Sequence, residues 1–426
     1  RVLSRLSAML ADGGKEADAL GLALDSALEA LRLDAGSIML LPEDADGLSA
    51  TENEADLRLS AARSLSETWL NNPIPLSRGR VFDRQAMSGE VVISEDLGAD
   101  DRVMLPERCR DEHLGAFIGA GLIFGGHPLG VIRLYARTPR AFTATERRLV
   151  RSIGQQAGAA VEQARLLRLR ARERRIQRAL KVAGSIQQRM LARHVPAIGP
   201  VEVAARFVPT HELGGDFYDL FEVRGGVGIA VGDVVGKGVP AAVLMSAVRA
   251  TLRAHADMAD DLGEVMRRVN DAMCRDTAAQ EFATVWFGRI DPATLALEYV
   301  SAGHDPPLLV RRDDAGAWRA RRLPVNGLVV GVSPGEGYDV ERTTLQPADA
   351  LVVYTDGLID ARNFDNERFG RERLDREVEA ALTETPDASA EMLVDRLLWG
   401  VRRWIGLSPQ ADDETVAVAR IRTPGL

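Results

Sequence analysis

The chain has 426 residues, of which 46% are hydrophobic and 27% charged, with a formal net charge of −9. That length predicts two or three folding units of ordinary soluble composition. The acidic balance excludes a general nucleic-acid binder, which needs surplus cations to neutralise phosphates, and no apolar run approaches the roughly 20 residues of a spanning helix. The two cysteines, Cys109 and Cys274, cannot build a disulfide framework, so a reducing cytoplasm is the expected compartment. No signal peptide is visible. The first residue is Arg1 rather than methionine, which is expected of a piece of a longer protein.

In chain order, Leu3 to Leu31 carries apolar residues at helical spacing. Short strand-like runs follow at Ser37 to Leu41, Leu57 to Ala62, Glu90 to Ile93, Ala116 to Phe124 and Leu129 to Tyr135. Gly125 to Pro128 reads as the hairpin connection between the last two. Thr143 opens a long helix, with Glu146 completing a capping box. Small and apolar residues recur there at Ile153, Ala157, Ala160, Ala164, Leu167 and Ala171. After a phase shift they resume at Ile176, Ala179, Ala183, Ile186 and Met190. This predicts a weak, switchable coiled coil rather than a rigid rod. The arginines between Arg165 and Arg178 fit the solvated face of such a coil.

From Pro196 the pattern becomes strands with a few helices. Strands are expected at Val201 to Val208, Asp219 to Arg224, Val227 to Asp233, Ala283 to Asp291, Ala296 to Ser301, Pro307 to Arg311, Tyr338 to Leu345, Ala350 to Tyr354 and Thr415 to Ile421. Helices are expected at Val239 to His255, Asp261 to Asp276 and Ala388 to Trp404. Such a mixture predicts stacked sheets flanked by helices.

Four acidic motifs punctuate this region: Gly214-Gly215-Asp216-Phe217-Tyr218-Asp219, the Gly232 to Gly238 loop, Tyr354-Thr355-Asp356-Gly357 and Asp412-Asp413-Glu414-Thr415. Asp216 follows two glycines that allow a sharp turn. Asp233 and Asp356 each end a buried apolar run, and Asp412 and Asp413 immediately precede the last strand. An isolated aspartate in such a place usually shapes a turn. Several gathered at the ends of buried strands would repel one another unless cations neutralised them. Two cations about 4 Å apart can clamp phosphate oxygens and activate a water for in-line attack.

With Ser301-Ala302-Gly303-His304 between them, these motifs stand in the order of the metal-dependent serine/threonine phosphatases of the protein phosphatase 2C (PPM) superfamily. Residues 196–426 resemble the SpoIIE/RsbU-like bacterial branch, and Ile186-Gln187-Gln188 to Leu191 resembles the helix leading into it. Residues 1–165 resemble a GAF sensor domain, more by pattern than by motif. The resemblance implies an α+β chain. A GAF domain (antiparallel sheet with flanking helices) at 1–165 would be followed by a coiled-coil linker helix at 166–195 and a PPM α-β-β-α sandwich at 196–426.

It further implies that Asp233 bridges two Mn²⁺ or Mg²⁺ ions, with the Val234 carbonyl as an added ligand. Asp216 would complete one ion, and Asp356 and Asp412 would hold the other, with Asp413 and Asp219 as secondary candidates. The substrate implied is a phosphorylated STAS-type anti-sigma-factor antagonist, and the assembly a cytoplasmic homodimer paired through GAF and linker. Val235 stands where eukaryotic relatives carry a histidine viewed as general acid, so leaving-group protonation has no assigned residue. His304 is expected to shape its loop, and Lys237 either contacts phosphate or solvates its loop.

Three rivals are weaker. Gly214 to Phe217 superficially matches a diguanylate cyclase signature, but the three later acidic motifs have no place there. The coil offers no phosphoacceptor for a histidine kinase, since His194 lies at its end beside Pro196. A catalytically silent dimeric scaffold that binds a signalling partner is the alternative from another class. For the GAF region an unknown small-molecule or protein signal is expected. Cys109 is followed by Arg110 rather than the histidine typical of bilin attachment, which disfavours a chromophore.

Overall fold

The computed structural model describes residues 16–42, 57–71, 81–191, 198–258, 261–278 and 280–423. They divide into two compact units, meeting between Ile176 and Gln177. The first is built on a five-stranded antiparallel sheet of β1 (Ala35–Leu40), β2 (Arg58–Arg63), β3 (Val91–Ser94), β4 (Ala116–Phe124) and β5 (His127–Ala136), in the order β2-β1-β5-β4-β3. Strand alternation gives this sheet two apolar faces. Ile38, Ile118, Ile132 and Leu134 pack against Leu20 and Leu24 of the helix Glu16–Leu31 and Val150 and Ala157 of the long helix. Met39, Phe117, Val131 and Tyr135 pack with Met87, Cys109 and Leu114 on the other face.

The turn between β4 and β5 is shorter than expected. Only Gly125 and Gly126 connect them, with φ of 58° and 85°, a pair of left-handed residues that suits a two-residue hairpin. His127 and Pro128 belong to β5. The helix expected over Leu3 to Leu31 is observed over Glu16–Leu31, and residues 3–15 lie outside the described residues.

The long helix runs unbroken over Ala144–Met190. Its capping box forms as expected: the Glu146 carboxylate accepts from the Thr143 amide at 2.7 Å, and the Glu146 amide donates to the Thr143 hydroxyl at 3.2 Å. The expected coiled-coil seam is corrected in its first part. Ile153, Ala157, Ala160 and Ala164 pack into the core of the first unit. Beyond them Leu166, Leu167, Leu169, Ile176, Val182, Ile186 and Met190 are exposed.

The second unit is a sandwich of two five-stranded antiparallel sheets. One contains β7 (Phe217–Val223), β8 (Gly226–Val234), β9 (Ala283–Ile290), β10 (Ala296–Ala302) and β13 (Glu341–Thr344), in the order β13-β10-β9-β8-β7. The other contains β6 (Val201–Val208), β11 (Leu308–Arg312), β12 (Trp318–Arg322), β14 (Ala350–Tyr354) and β15 (Glu414–Ile421), in the order β12-β11-β14-β15-β6. Ile229, Val231, Trp286, Tyr299, Leu351, Val353 and Ala417 fill the space between the sheets. The helices Val239–Ala256 and Leu262–Asp276 cover the first sheet, and Arg371–Glu384 and Ala390–Ile405 cover the second. This is the expected α-β-β-α order.

In the second unit three elements escaped the sequence reading: β12, the short helix Asp356–Asp360 and the helix Arg371–Glu384. The last hides a regular apolar stripe, Leu374, Val378, Ala381 and Leu382, among nine charged or polar neighbours. Strand β7 also begins two residues earlier than expected, at Phe217, which changes the meaning of Asp219.

Candidate metal centre

Strand parity decides where each acid points. In β8, Val227, Ile229 and Val231 face the space between the sheets, whereas Ala230 and Val234 face the helices. Asp233 continues the first series, so its carboxylate stands at the rim of the inter-sheet space. Phe217 pairs with Gly232, which lays Asp216 alongside Asp233. In the other sheet Tyr354 pairs with Val416, which brings Thr355 and Asp356 beside the segment from Asp412 to Thr415. Stacking the two sheets then joins the two pairs.

The junction is made by hydroxyls. Thr355 and Thr415 each donate to Asp216 Oδ2 at 2.7 Å, and the Thr415 amide donates to the Thr355 hydroxyl at 3.0 Å. Asp216 and Thr415 are buried. One oxygen of Asp216 is thus fixed by the second sheet. Gly215 allows the close approach this requires, because a Cβ there would lie 2.7 Å from the Val234 carbonyl oxygen.

The acids oppose one another. Burial and the neighbouring Asp233 push Asp216 well above the usual carboxylate range, against the two threonine hydroxyls. Asp233 is pushed up to about 7 by burial first, then by Asp356, Asp412 and Asp413, with a hydrogen bond to Asp216 acting the other way. Asp356 is raised by burial, Asp412, Asp360 and Asp305. Carboxylate oxygens and one carbonyl are the donors that hard divalent cations take, and positive charge placed here would relieve this repulsion. Among the described residues no three acids surround one point as a ligand set.

Two expected participants are otherwise engaged. Asp413 accepts from the Thr210 amide at 2.7 Å with Oδ1 and from the Gly215 amide at 2.9 Å with Oδ2. It clamps the loop that presents Asp216. Asp412 is exposed, and its Oδ1 lies 3.0 Å from Lys237 Nζ, which also donates to the Ala411 carbonyl at 2.7 Å. Lys237 therefore serves here as a counter-charge on Asp412.

Asp219 is a correction. Lying inside β7, it shares the face of Phe217 and Phe221 and points toward the helices, on the opposite side from Asp216. It is fully buried and ion-paired at 3.0 Å with both Arg249 and Arg253. Its role is to anchor the helix Val239–Ala256. His304 is buried, with Nδ1 2.9 Å from the Thr284 hydroxyl, and burial pushes it down to about 4. A neutral, walled-in imidazole fits the loop-shaping role. Cys109 is packed in an apolar cluster, where burial pushes its thiol up, and His113 is exposed.

Sequence reasoning missed Thr355, Thr415 and Gln187. Both threonines sit inside the quoted motifs, but nothing in linear spacing says that they converge on Asp216. Gln187 is buried and holds the loop from the other side: Nε2 donates to the Gly214 carbonyl at 2.7 Å, and Oε1 accepts from the Gly214 amide at 3.2 Å.

Residues 224–422 match the family described as Stage II sporulation protein E (SpoIIE), and residues 15–162 match a GAF domain. Asp233, Asp356 and Asp412 lie inside the first match, and Asp216 lies eight residues before it. The chain is 26% identical over 230 residues to "Phosphoserine phosphatase RsbU" of Bacillus subtilis (strain 168), covering 54% of this chain and 68% of that one. It is 30% identical over 223 residues to "Protein IcfG" of Synechocystis sp. (strain ATCC 27184 / PCC 6803 / Kazusa), covering 46% and 34%. The second relative is therefore spanned over about a third of its length. Among solved structures, the SiaA-PP2C domain of Pseudomonas aeruginosa aligns with a TM-score of 0.49 and 22% identity, over 59% of this chain and 98% of that one.

Proposed function

We propose that this chain, which joins a GAF domain to a SpoIIE-type phosphatase domain of the PPM class, is a signal-regulated, metal-dependent protein serine/threonine phosphatase. The observation that carries the reading is the convergence of Asp216, Asp233 and Asp356 from both sheets onto one rim, where burial and mutual repulsion raise all three. A fold that gathers carboxylates in this way is stabilised by divalent cations.

In this reading Asp216, Asp233, the Val234 carbonyl, Asp356 and Asp412 would hold two Mn²⁺ or Mg²⁺ ions, with Asp413 as a secondary candidate. Bound there, the ions would supply charge for the phosphate oxygens and acidify a water for in-line attack on phosphorus. The chain's own residues hold that arrangement. Thr355 and Thr415 fix Asp216, Asp413 and Gln187 fix its loop, and Lys237 must release Asp412. Val235 has no proton to give and His304 is neutral and enclosed, so protonation of the leaving seryl or threonyl oxygen has no assigned residue.

The proposed substrate is a phosphoserine or phosphothreonine on a STAS-type anti-sigma-factor antagonist, supported by the family match and by the relative named as a phosphoserine phosphatase. The proposed assembly is a cytoplasmic homodimer, supported by the apolar residues exposed along the long helix beyond Leu166. Its GAF domain would receive a small-molecule or protein signal and pass it down that helix. Removing residues 1–165 should then change the rate or the metal affinity.

The test is hydrolysis of a small phosphate ester with Mn²⁺ and Mg²⁺, beside calorimetric cation binding, for the intact chain, Asp233→Asn and Asp356→Asn. The expected result is cation-dependent turnover in the intact chain, and loss of turnover and of cation binding in both folded variants. Absence of cation binding by the intact chain would leave the silent scaffold as the better reading.

A further inference from the structure

Asp356 also lines a groove of about 670 Å³. Its charged lining also includes Asp305, Asp360 and Glu372 and the arginines Arg368, Arg371, Arg373 and Arg376. Two of the arginines are spoken for: Arg371 is ion-paired with Asp305, and Arg368 Nη1 lies 3.0 Å from Asp360. The other two differ. Arg373 stacks on the Trp404 ring at 3.8 Å and donates to the Arg368 and Phe369 carbonyls, each at 3.1 Å. Arg376 is exposed and donates to the Glu372 carbonyl at 3.2 Å. Both guanidinium groups are held by carbonyl oxygens, which orient them without neutralising them. Each keeps N–H donors to spare.

Residues 373 and 376 are one helical turn apart and share a face, while Leu374 and Val378 of the same helix point into the core. The helix therefore presents two positive charges in a row to the groove that Asp356 also lines. The groove is larger than a phosphoryl group needs.

We propose that this groove receives an acidic side chain of the phosphoprotein substrate close in sequence to the phosphorylated residue, with Arg373 and Arg376 as the specificity-determining pair. The proposal rests on the phosphatase reading above and adds a substrate preference to it. A carboxylate seated there can ion-pair with two oriented guanidinium groups, whereas a neutral side chain gains no charge-assisted bond. Each contact is solvent-accessible, so the gain is modest: about fivefold in kcat/KM for the pair together. It should fade as ionic strength shortens the screening length.

The test uses the intact chain with Mn²⁺ and two phosphoserine peptides that differ only in having Glu or Gln beside the phosphoserine. Support requires a preference for the Glu peptide of about fivefold in kcat/KM. It should fall toward one in Arg376→Gln and in the Arg373→Gln/Arg376→Gln pair, and be largely kept in Arg376→Lys. Equal rates on the two peptides, or a preference the variants leave unchanged, would overturn it. Fluorescence anisotropy with the same labelled peptides gives a reading independent of turnover. If even a small phosphate ester is not hydrolysed, the phosphatase reading fails. The groove is still judged by whether the Glu peptide binds more tightly than the Gln peptide and loses that advantage in Arg376→Gln. Equal binding overturns it.

Discussion

Gln187 holds Gly214 by both of its backbone groups, through a 2.7 Å bond to the carbonyl and a 3.2 Å bond from the amide. Gly214 lies two residues before Asp216, and Gln187 lies in the last turn of the helix Ala144–Met190. Gly184, one turn earlier, packs so closely that a Cβ there would meet the Glu212 carbonyl oxygen at 2.1 Å. The end of the long helix is thus seated on the loop that presents a candidate ligand. Replacing Gln187 with Ala leaves two buried backbone groups unsatisfied, at about 1–3 kcal/mol. We expect Mn²⁺ affinity to fall about tenfold in a protein that still folds. Unchanged affinity in a merely less stable protein would reduce Gln187 to a structural clamp.

The acids predict a pH dependence whose sign follows from linkage. Asp233 is raised to about 7 in the folded chain, so between its unfolded value and about pH 7 the native state binds more protons than the unfolded state. Stability of the cation-free protein therefore falls as pH rises through that window. Mn²⁺ competes with those protons, so its affinity should rise over the same range. Thermal melts from pH 5 to 8 with and without Mn²⁺ should diverge with increasing pH. Asp233→Asn should flatten both trends.

Thr355 and Thr415 place their hydroxyls on the same oxygen of Asp216. Thr415→Val removes one donor while nearly conserving shape, for about 1 kcal/mol, and Thr355→Val costs more because it also takes the acceptor from the Thr415 amide. We expect a roughly fivefold loss of turnover for each, and less than the product for both, because the two share one acceptor. Full additivity in a double-mutant cycle would deny the shared role.

Asp219 separates structure from chemistry. Its buried carboxylate answers both Arg249 and Arg253. Asp219→Asn should destabilise the unit by about 3 kcal/mol, since it strands the buried Arg249 guanidinium. Cation stoichiometry should be unaltered. A lost cation in calorimetry would return Asp219 to the ligand set.

Lys237 sits on Asp412 Oδ1 at 3.0 Å. If it is only a counter-charge, Lys237→Gln should tighten Mn²⁺ binding about threefold by freeing that oxygen. A raised KM for a small phosphate ester, with cation affinity unchanged, would instead make it a phosphate contact.

Much of this protein is written locally. Short apolar runs in β4, β8 and β14, the capping box at Thr143 and Glu146, and glycine beside Asp216, Asp233 and Asp356 are short-range patterns, readable from a few consecutive residues. That is why the strand order of motifs, the sandwich class and the acids Asp216, Asp233 and Asp356 were legible in advance. What the sequence could not reveal depends on contacts between segments remote from one another. Asp219 and Asp216 stand three residues apart and look alike in print, yet one faces helices and the other the inter-sheet rim, because β7 starts at Phe217. Thr355 and Thr415 acquire a role only when two sheets stack, and Gln187 only when a helix end meets a loop 27 residues on. Which apolar positions of the long helix remain free was likewise decided by the first unit's core, which takes Ile153 to Ala164 and leaves those after them exposed. Burial and partner choice are properties of the packed chain, so only the tertiary structure could assign them.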